Sequence, residues 1–425
     1  MNKTTIGISD ISVYLPQNRI LVEKILSKRS EDDPAFHTRL SRAIASTDQY
    51  AIRFPSQWED SAVLAANATL RLLEQKPDPG EVRYLVVGSE TTVDLSKSMS
   101  AYVQGMIAKS PTPLPTKLSS FQVQHACAGA TLGMLSVAAL IQAAGRPGES
   151  GIVVASDIAR YDAPSTAEIT QGSGAAAMLI EKNPKLLSFD LDSQGFSSSD
   201  VDDFFRPLGS TTAKVKGRYS VQCYNDALDE AFLDFCTRKG LTATEALEQT
   251  DYFVFHVPFA KMANTAVRRL LSNHLNIFGT EAEEFLAPRG FFSALDVTAY
   301  IGNMYTGAIY LNLMATLYQE YQKIGKDIVG KKILFSSYGS GNTMVVFDGV
   351  VMEDAPRIIE GWDPDDFLNH YQEVEFPEYE QWLNRVYDTA NYNPETAGEP
   401  EAALAGRFYL HSIREDGYRD YRIKG

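Results

Sequence analysis

Short apolar runs alternate along the chain with longer segments in which apolar residues recur at helical spacing. Three of the runs have strand length: "YLVVGSE" (84–90), "GIVVASD" (151–157) and "AAAMLI" (175–180). Helical patterns lie between such runs, as in residues 127–144 and 260–274. Alternation of strand-length and helix-length segments favours an α/β architecture.

The second part of the chain repeats this order. "YFVFHVP" (252–258) precedes one helical pattern, and "KKILFSSYGSGNTMVVF" (331–347) follows another. A Gly-Ser-Gly turn leads into an apolar strand at Gly172, in "GSGAAAML", and again at Gly339, in "GSGNTMVV". The repeat indicates a two-fold internal duplication, although one short match can also arise by chance.

The pattern changes from about Glu353 onward, where Asp, Glu, Tyr and Trp become frequent. "FLNHYQEVEFPEYEQWLNRVY" (367–387) predicts surface helices interrupted by Pro377, and residues 391–400 predict a polar loop. We expect a C-terminal helical appendage and no separate catalytic domain. The expected units are residues 1–185, 186–350 and 351–425.

Composition and charge narrow the class of protein. With 44% apolar residues, the 425-residue chain can bury a large core. Its first residues lack the pattern of a secretory signal, and no uninterrupted apolar run approaches the roughly 20 residues that span a bilayer. We therefore expect a cytoplasmic protein without membrane association. The net charge of -15 argues against nonspecific binding to nucleic acid, but a few local cations can still hold phosphates.

Cys127 is one of only three cysteines, and their spacing is not that of metal-ligand pairs. In "FQVQHACAGATLGML" (121–135) it follows a strand-like segment and opens an apolar helix. Backbone N–H groups at a helix N-terminus favour a thiolate, which suits a nucleophile. The alternative is a small buried hydrophobe, since free cysteine is among the most buried residue types. We expect Cys223 and Cys236 to be inert.

Three other residues have side chains suited to catalysis or binding. Glu90 ends an apolar strand, where partial burial would raise its pKa and suit it to acid–base chemistry, unless it is a solvated loop acid. His256 lies at a strand end before Pro258 and can act as acid, base or hydrogen-bond donor, or serve only structure. Asn303 precedes an apolar helix as an N-cap or as an amide that binds a substrate carbonyl.

Together these segments resemble the 3-hydroxy-3-methylglutaryl-CoA synthase family of thiolase-like condensing enzymes, over about residues 5–350. The matching motifs occur in family order: "VGSETTVDLSKS", "HACAGAT", "VASDIARY", "TQGSGAAAMLI", "DFFRP", "FHVPFAKM", "GNMYTG" and "SYGSG". The resemblance implies a five-layered thiolase-like fold with two similar α/β halves, and a homodimer. The nucleophile would lie in the first half, and His256 and Asn303 in the second.

The resemblance also implies a thioester condensation. Cys127 would accept an acetyl group from acetyl-CoA, and Glu90 would act as general acid and base in forming the acetyl carbanion. The carbanion would attack acetoacetyl-CoA, and hydrolysis would release 3-hydroxy-3-methylglutaryl-CoA. No metal or redox cofactor is implied. His256 and Asn303 match positions that hold the acetoacetyl group.

Five other positions match the family by residue. Four support the acyl site and one lies near the CoA phosphates: Asp157, Tyr161, Asp203 and Ser340, and Lys261 for the phosphates. One departure is Ala128, because the family commonly has an aromatic residue after the nucleophile. This change puts the acyl group in doubt.

Two alternative functions stay open. A related branch performs β-branching in polyketide synthesis with β-ketoacyl chains on an acyl carrier protein, and "SKSMS" after Glu90 looks like that branch. Lys261 and "GNMYTG" look more like the CoA-using enzymes, which we favour. The second alternative is a noncatalytic homologue that acts as a scaffold or acyl-binding subunit. The joint presence of Cys127, Glu90 and His256 argues against it.

Overall fold

The computed structural model describes residues 5–76, 81–387, 392 and 405–425. The strands are β1 Ile6–Tyr14, β2 Asn18–Leu21, β3 Ala51–Phe54, β4 Val82–Gly88, β5 Ser119–Val123, β6 Ser150–Ala159, β7 Gly172–Lys182, β8 Leu187–Phe189, β9 Gly195–Ser198, β10 Phe204–Phe205, β11 Lys214–Val215, β12 Tyr252–Phe255, β13 Lys332–Gly339, β14 Thr343–Val351, β15 Gln372–Glu373, β16 Phe408–Ile413 and β17 Arg419–Ile423.

Helices connect most of these strands. They are α1 Val22–Asp32, α2 Pro34–Thr47, α3 Ser61–Gln75, α4 Met99–Ile107, α5 Gly129–Ala144, α6 Gly217–Lys239, α7 Ala243–Glu248, α8 Ala260–Leu275, α9 Gly279–Leu286, α10 Phe291–Ala299, α11 Ala308–Ile324, α12 Ala355–Glu360 and α13 Phe376–Leu383. Short 3-10 helices span Glu168–Thr170, Ala287–Arg289, Tyr305–Gly307 and Gly325–Ile328, and a π-helix spans Asp365–Asn369.

The main sheet has ten strands, and its two ends repeat one arrangement. The order is β12-β13-β14-β8-β1-β7-β6-β4-β5, with β9 paired to β14. From β4, the pairing runs parallel to β6, then antiparallel to β7 and β1. From β12, it runs parallel to β13, then antiparallel to β14 and β8. The same pairing in the same chain order confirms the predicted duplication, and β8 joins the halves by pairing with both β1 and β14.

Helices α5 and α11 form the central layer of a five-layered fold. Apolar residues of both helices pack in one core with β1, β6 and β7 of the first half and β13 and β14 of the second. The opposite face of the first half packs against α3 and α4. The opposite face of the second half packs against α6, α8 and α10. This arrangement is the thiolase-like α/β fold that the resemblance implied.

The apolar character of α5 follows from this central position. By length and composition, residues Ala126–Ala144 could cross a membrane. From the sequence we expected no apolar segment of that length. However, 61% of that stretch is buried within the protein. A helix covered on two sides by the two halves of the main sheet needs apolar residues around most of its circumference, so core packing accounts for the composition.

The C-terminal segment contains the expected helices, α12 and α13, but differs from the prediction in two respects. Pro377 lies in the first turn of α13 and does not interrupt it, because that turn needs no N–H from proline. Helix α13 lies at the surface as predicted, with Glu378, Glu380 and Gln381 exposed and with Tyr379 and Trp382 buried on its other face. Strands β16 and β17 add an antiparallel hairpin that packs on the α3 side of the first half.

Two predictions about segment limits stay open. In the predicted polar loop at 391–400, every residue except Tyr392 lies outside the described part of the chain. The expected units, 1–185, 186–350 and 351–425, stay predictions; their first limit falls between β7 and β8, and the second falls at the end of β14.

Candidate active site

Cys127 lies in a tight turn between β5 and the central helix α5. The preceding Ala126 has a φ of 40°, in the left-handed region that a non-glycine residue rarely adopts. Two backbone bonds close the turn: the Ala128 N–H donates to the His125 carbonyl (3.0 Å), and the Gly129 N–H donates to the Ala126 carbonyl (3.3 Å). The thiol is therefore fixed at the N-terminal end of α5, as predicted, and is buried at 6% exposure.

A close approach of backbones brings the tip of β4 to the start of α5. A Cβ built on Gly88 would lie 2.1 Å from the Ala130 nitrogen, so only glycine allows this contact. Glu90 follows two residues after Gly88. The carboxyl group and the thiol thus come from neighbouring elements of the first half.

Asp157, at the end of β6, holds the loop that carries Glu90. Its Oδ1 accepts hydrogen bonds from Ser89 Oγ (2.9 Å), the Glu90 N–H (2.9 Å), the Thr91 N–H (3.1 Å) and Thr91 Oγ1 (2.6 Å). Its Oδ2 accepts a longer bond from the Thr306 N–H (3.4 Å) of the second half. Asp157 therefore fixes the Glu90 backbone to both halves of the protein.

Burial changes the acid–base properties of this pair of carboxyl groups. Desolvation raises the pKa of Glu90 to about 8, with Arg206 acting against the shift and Asp157 adding to it. Desolvation also raises the pKa of Asp157 to about 6, although the hydrogen bonds from Thr91, Glu90 and Ser89 oppose it. Among the described residues, Glu90 Oε1 is buried without a hydrogen-bond partner, so Glu90 is not the solvated acid of the alternative interpretation.

The pKa of Cys127 shifts opposite to the direction expected from the helix N-terminus. Burial raises the pKa of the thiol well above its ordinary value, and nearby carboxyl groups raise it further, those of Glu90, Asp157 and Asp203. Arg206 acts in the other direction. The end of a helix gives only a partial positive charge, and here it is outweighed by desolvation and like charge.

His256 and Asn303 occupy the corresponding positions of the second half. His256 directly follows β12, and its backbone N–H donates to the Ser336 carbonyl (2.7 Å). Burial lowers the pKa of its imidazole to about 3, so the ring is neutral at physiological pH. Within the described part of the chain, His256 Nδ1 is buried and unpaired. A buried polar atom without a partner is uncommon and consistent with a ligand site.

Asn303 acts as a cap and also faces a site residue. Its Oδ1 accepts a hydrogen bond from the Tyr305 N–H (2.8 Å), which starts the short 3-10 helix before α11. Its Nδ2 points to Tyr161 Oη, 3.5 Å away. Tyr161 packs with Cys127 and Tyr305 in one small apolar cluster. The two interpretations of Asn303 are therefore compatible, because each uses a different atom of the amide.

Asp203 and Ser340 lie at another wall of the site. Asp203 is buried, and its carboxylate accepts hydrogen bonds from Tyr338 Oη (2.9 Å), Ser220 Oγ (3.1 Å) and the Gly341 N–H (2.9 Å). It thereby fixes the Gly-Ser-Gly turn after β13. Ser340 lines a cleft of about 560 Å³, which Glu90 also lines.

Arg206 is one residue of this cleft that sequence reasoning missed. Its Nη1 donates to the Glu90 carbonyl (2.6 Å), and its guanidinium carbon lies 5.8 Å from the centre of the Tyr305 ring. It lowers the pKa values of Glu90, Asp157 and Cys127. A signal is present in the sequence, because Arg206 belongs to the same "DFFRP" motif as Asp203.

The C-terminal segment supplies further residues of the cleft wall. Trp382, Tyr387 and Arg419 line it, and the Arg419 guanidinium pairs with the Asp60 carboxylate at 2.6 Å. The composition of this segment indicates only an appendage. Its contribution to the cleft could not be foreseen, because it depends on which surface the segment packs against.

Lys261 lies apart from the residues of this cleft. It begins the first turn of α8, and its Nζ contacts the Asp48 carboxylate (3.1 Å) and the Ala45 carbonyl (2.5 Å), both near the end of α2. Cys223 and Cys236 are buried in the core between α6 and α8. In the described part of the chain, no three His, Cys, Asp or Glu side chains are grouped so that they could hold a metal ion.

Comparisons with known proteins match the whole chain to one family. The sequence profile described as "Hydroxymethylglutaryl-coenzyme A synthase N terminal" matches residues 2–185, and the one described as "Hydroxymethylglutaryl-coenzyme A synthase C terminal" matches residues 187–285 and 286–424. A hydroxymethylglutaryl-CoA synthase of Enterococcus faecalis is 29% identical over 385 residues, which cover 91% of this chain and 93% of the relative.

Solved structures agree with this match. MvaS in complex with 3-hydroxy-3-methylglutaryl coenzyme A superposes with a TM-score of 0.84 at 31% identity, over 100% of both chains. The HMG synthase of the curacin biosynthetic pathway, in complex with holo donor-ACP, superposes with a TM-score of 0.83 at 24% identity, over 99% of this chain and 100% of that one. At that identity the second likeness concerns the fold alone.

Proposed function

This chain belongs to the hydroxymethylglutaryl-CoA synthase family, and we propose that it condenses acetyl-CoA with acetoacetyl-CoA to 3-hydroxy-3-methylglutaryl-CoA through an acetyl thioester on Cys127. One observation carries the proposal: a buried thiol at the N-terminal end of the central helix and a carboxyl group with a raised pKa come from neighbouring elements whose backbones touch at Gly88 and Ala130. The pair supplies a nucleophile and an acid–base group in one site.

The first step transfers the acetyl group. The Cys127 sulfur attacks the thioester carbonyl of acetyl-CoA, the bond from that carbonyl to the CoA sulfur breaks, and the proton of the thiol leaves with CoA. A carboxyl group with a pKa of about 8 is mostly protonated at pH 7, so Glu90 adds little negative charge beside the forming thiolate. The positive end of α5 and the Arg206 guanidinium both stabilise the negative charge of the forming thiolate.

The second step forms the carbon–carbon bond. The ionised form of Glu90 removes a proton from the acetyl methyl group, and the resulting carbanion adds to the ketone carbon of acetoacetyl-CoA. The ketone oxygen becomes an alkoxide and takes the proton back from Glu90. The neutral His256 ring and the Asn303 amide are suited to hold that oxygen, because both can donate a hydrogen bond without a net charge.

Hydrolysis completes the cycle. Water adds to the thioester on Cys127, the carbon–sulfur bond breaks, and the sulfur regains a proton as the product carboxylate forms. Dividing the reaction through Cys127 replaces one difficult encounter of three reactants by easier separate transfers.

The test is to incubate the protein with acetyl-CoA, measure its intact mass, and then add acetoacetyl-CoA and identify the product. We expect one acetyl group on the Cys127 peptide and formation of 3-hydroxy-3-methylglutaryl-CoA. A protein that takes no acetyl group from any donor would instead be the noncatalytic scaffold or acyl-binding subunit.

The choice of CoA over a carrier protein rests on Lys261, which we propose lies near the CoA phosphates. Because Lys261 already pairs with Asp48, a phosphate must compete with that carboxylate. Lys261→Ala should raise the KM for acetyl-CoA with little change in kcat. High salt should reproduce part of this rise in the wild-type protein, because it screens the contact between Lys261 and phosphate.

Lys331→Ala is the matched control for this variant. The Lys331 side chain is 36% exposed and pairs with Asp251 at 3.0 Å, whereas Lys261 is 42% exposed and pairs with Asp48 at 3.1 Å. Equal KM values for the two variants would remove Lys261 from the CoA site. If acetyl carrier protein reacts rapidly while acetyl-CoA is inert, the polyketide β-branching function replaces the proposed one.

We also propose a homodimer, a cytoplasmic location and action without a metal or redox cofactor. Strand β5 supports the dimer, because among the described strands it is the last at its end of the sheet and pairs only with β4. Molar mass in solution tests the dimer, cell fractionation tests the location, and activity after treatment with a chelator tests metal independence.

A further inference from the structure

A chain of buried hydrogen bonds connects the C-terminal helix α13 with the backbone of Tyr161. The Arg29 guanidinium donates to both oxygens of the Glu168 carboxylate, at 2.8 to 3.3 Å. Tyr379 Oη donates to Glu168 Oε1 (3.2 Å) and accepts from Gln171 Nε2 (2.7 Å). Gln171 Oε1 in turn accepts from the Tyr161 N–H (2.8 Å). Glu168, Gln171 and Tyr379 are fully buried.

The two ends of this chain determine the direction of every bond. The Tyr161 N–H can only donate, and the Glu168 carboxylate accepts from Arg29 at both of its oxygens. Gln171 must therefore turn its oxygen to Tyr161 and its NH₂ group to Tyr379, whose hydroxyl must point to Glu168. Burial and the Glu168 charge raise the pKa of Tyr379 well above its ordinary value, so the hydroxyl stays protonated as a donor.

The same short segment, residues 170–172, also holds the Asn303 loop. The Asn303 N–H donates to the Thr170 carbonyl (3.4 Å). A Cβ built on Gly172 would lie 2.6 Å from the Asn303 nitrogen, so the two backbones are in direct contact. Gln171 lies between Thr170 and Gly172 and binds Tyr161. One segment thus sets the positions of Tyr161 and Asn303, whose side chains face each other at 3.5 Å.

We propose that Tyr379 and Gln171 are positioning residues, which align Tyr161 and Asn303 for the acetoacetyl group through this hydrogen-bond chain. The inference rests on the proposed function, because it assumes that Asn303 holds the second substrate. It gives the C-terminal segment a role in the reaction. Cys127 is held by the backbone hydrogen bonds of its own turn and meets the Tyr161 ring only by apolar packing, so acetylation should depend on this chain less than condensation does.

The test variant is Tyr379→Phe, which removes one hydroxyl and keeps the ring. The ring packs against Phe54, Phe376 and Trp382, with ring centroids 5.6 to 5.7 Å away, and this packing stays. Without the hydroxyl, the Gln171 amide loses its fixed orientation and the Tyr161 N–H loses a defined acceptor. We expect the KM for acetoacetyl-CoA to rise about 3- to 10-fold, on the order of one buried hydrogen bond at the substrate site, while acetylation of Cys127 by acetyl-CoA changes less.

Tyr392→Phe is the matched control. Tyr392 is another buried tyrosine of the C-terminal segment, and its hydroxyl donates to the Leu410 carbonyl, outside the hydrogen-bond chain that ends at Tyr161. It should leave the KM for acetoacetyl-CoA unchanged. If both variants raise this KM equally, or if Tyr379→Phe slows acetylation as much as condensation, the effect is a general loss of stability and the proposal is wrong.

A second variant keeps the proposal testable even if Tyr379→Phe does not fold. Gln171→Leu breaks the chain on the other side of the Tyr379 hydroxyl and should give the same rise in KM. The double variant should be no worse than either single one, because both break one chain; multiplied effects would contradict it. If wild-type protein forms no acetyl-Cys127, the proposed function fails; if it does and Gln171→Leu has a normal KM, only the positioning role fails.

Discussion

The two halves of the protein place different chemistry at corresponding positions. The tip of β4 carries Glu90, and the tip of β12 carries His256. The turn before α5 carries Cys127, and the turn before the 3-10 helix that leads into α11 carries Asn303. The first half thus has a thiol and a carboxyl group that can form bonds and move protons. The second half has an imidazole and an amide that can hold a polar substrate atom.

Burial acts on both halves and gives them one common property. It raises the pKa of Glu90 to about 8 and lowers the pKa of His256 to about 3, because in each case the charged form is disfavoured. Both groups are therefore mostly neutral at pH 7. The difference is that Glu90 can ionise close to physiological pH, whereas His256 cannot gain a proton there. The duplicated halves supply corresponding positions to one site, and the residue type at each position decides which half moves protons.

Removal of the nucleophile should have the largest effect. Cys127→Ala should abolish the acetyl adduct and lower condensation by on the order of 10⁴- to 10⁶-fold, while the fold stays intact. Intact mass and acetoacetyl-CoA consumption measure the two effects. Cys223→Ala, at a buried cysteine of the second half, is the control and should retain both the acetyl adduct and condensation. Normal turnover by folded Cys127→Ala protein would eliminate the proposed nucleophile.

His256→Ala should impair the step assigned to the second half and leave the step of the first half intact. Acetylation of Cys127 should persist, because the first half is unchanged, while condensation should fall about 10²- to 10³-fold through loss of a donor to the developing alkoxide. Rapid-quench measurement of acetyl-enzyme, followed by addition of acetoacetyl-CoA, gives both rates. Loss of acetylation in this variant would show that the halves do not divide the steps as described.

Arg206→Met should have a smaller, pH-dependent effect. Without this cation the pKa of Glu90 should rise above about 8, so less Glu90 is ionised at pH 7. If the pKa of Glu90 rises by about one, condensation at pH 7 should fall on the order of 10-fold, and its rise with pH should move to higher pH. Arg206→Lys keeps the charge and should show a smaller displacement. Identical pH–rate profiles for wild type and Arg206→Met would contradict this role.

A further effect concerns stability and not the reaction rate. Glu90 has an ordinary pKa of 4.5 and a pKa of about 8 in the folded protein, so between these values the folded state holds a proton that the unfolded chain releases. Stability should therefore fall as pH rises from 4.5 to about 8, by at most about 1.4 kcal/mol per pH unit. Urea unfolding over this pH range should show that the free energy of unfolding falls less steeply in Glu90→Gln than in wild type. A fall as steep in Glu90→Gln as in wild type would mean that Glu90 does not have a raised pKa in the folded protein.

Much of the fold and the local placement of the site could be predicted from sequence. The strand tip at Glu90, the helix start at Cys127 and the Gly-Ser-Gly turn at 339–341 are local patterns, and each lies where expected. The second predicted turn, at 172–174, is wrong, because these residues begin β7 and pair with β6. The motifs added the family, because they occur in order along most of the chain. Their catalytic and binding roles stay predictions until they are measured.

What could not be predicted depends on contacts between distant segments. The raised pKa of the Cys127 thiol reflects its burial and then the carboxyl groups at positions 90, 157 and 203, which meet only in the folded protein. The bond between Gln171 and Tyr379 joins residues 208 positions apart. Neither has a pattern in the local sequence. The packing of β16 and β17 on the first half is unpredictable for the same reason.

The most direct test of the division of steps uses Glu90→Gln, which removes the ionisable group and keeps its shape. Acetyl-enzyme on Cys127, measured by intact mass, and condensation, measured by acetoacetyl-CoA consumption, are followed in the same preparation. We predict that the acetyl adduct forms as in wild type, while condensation falls about 10²- to 10⁴-fold, because removal of a methyl proton needs a positioned base. If both steps fall together, or if neither does, Glu90 is not the base of the condensation step and the account is wrong.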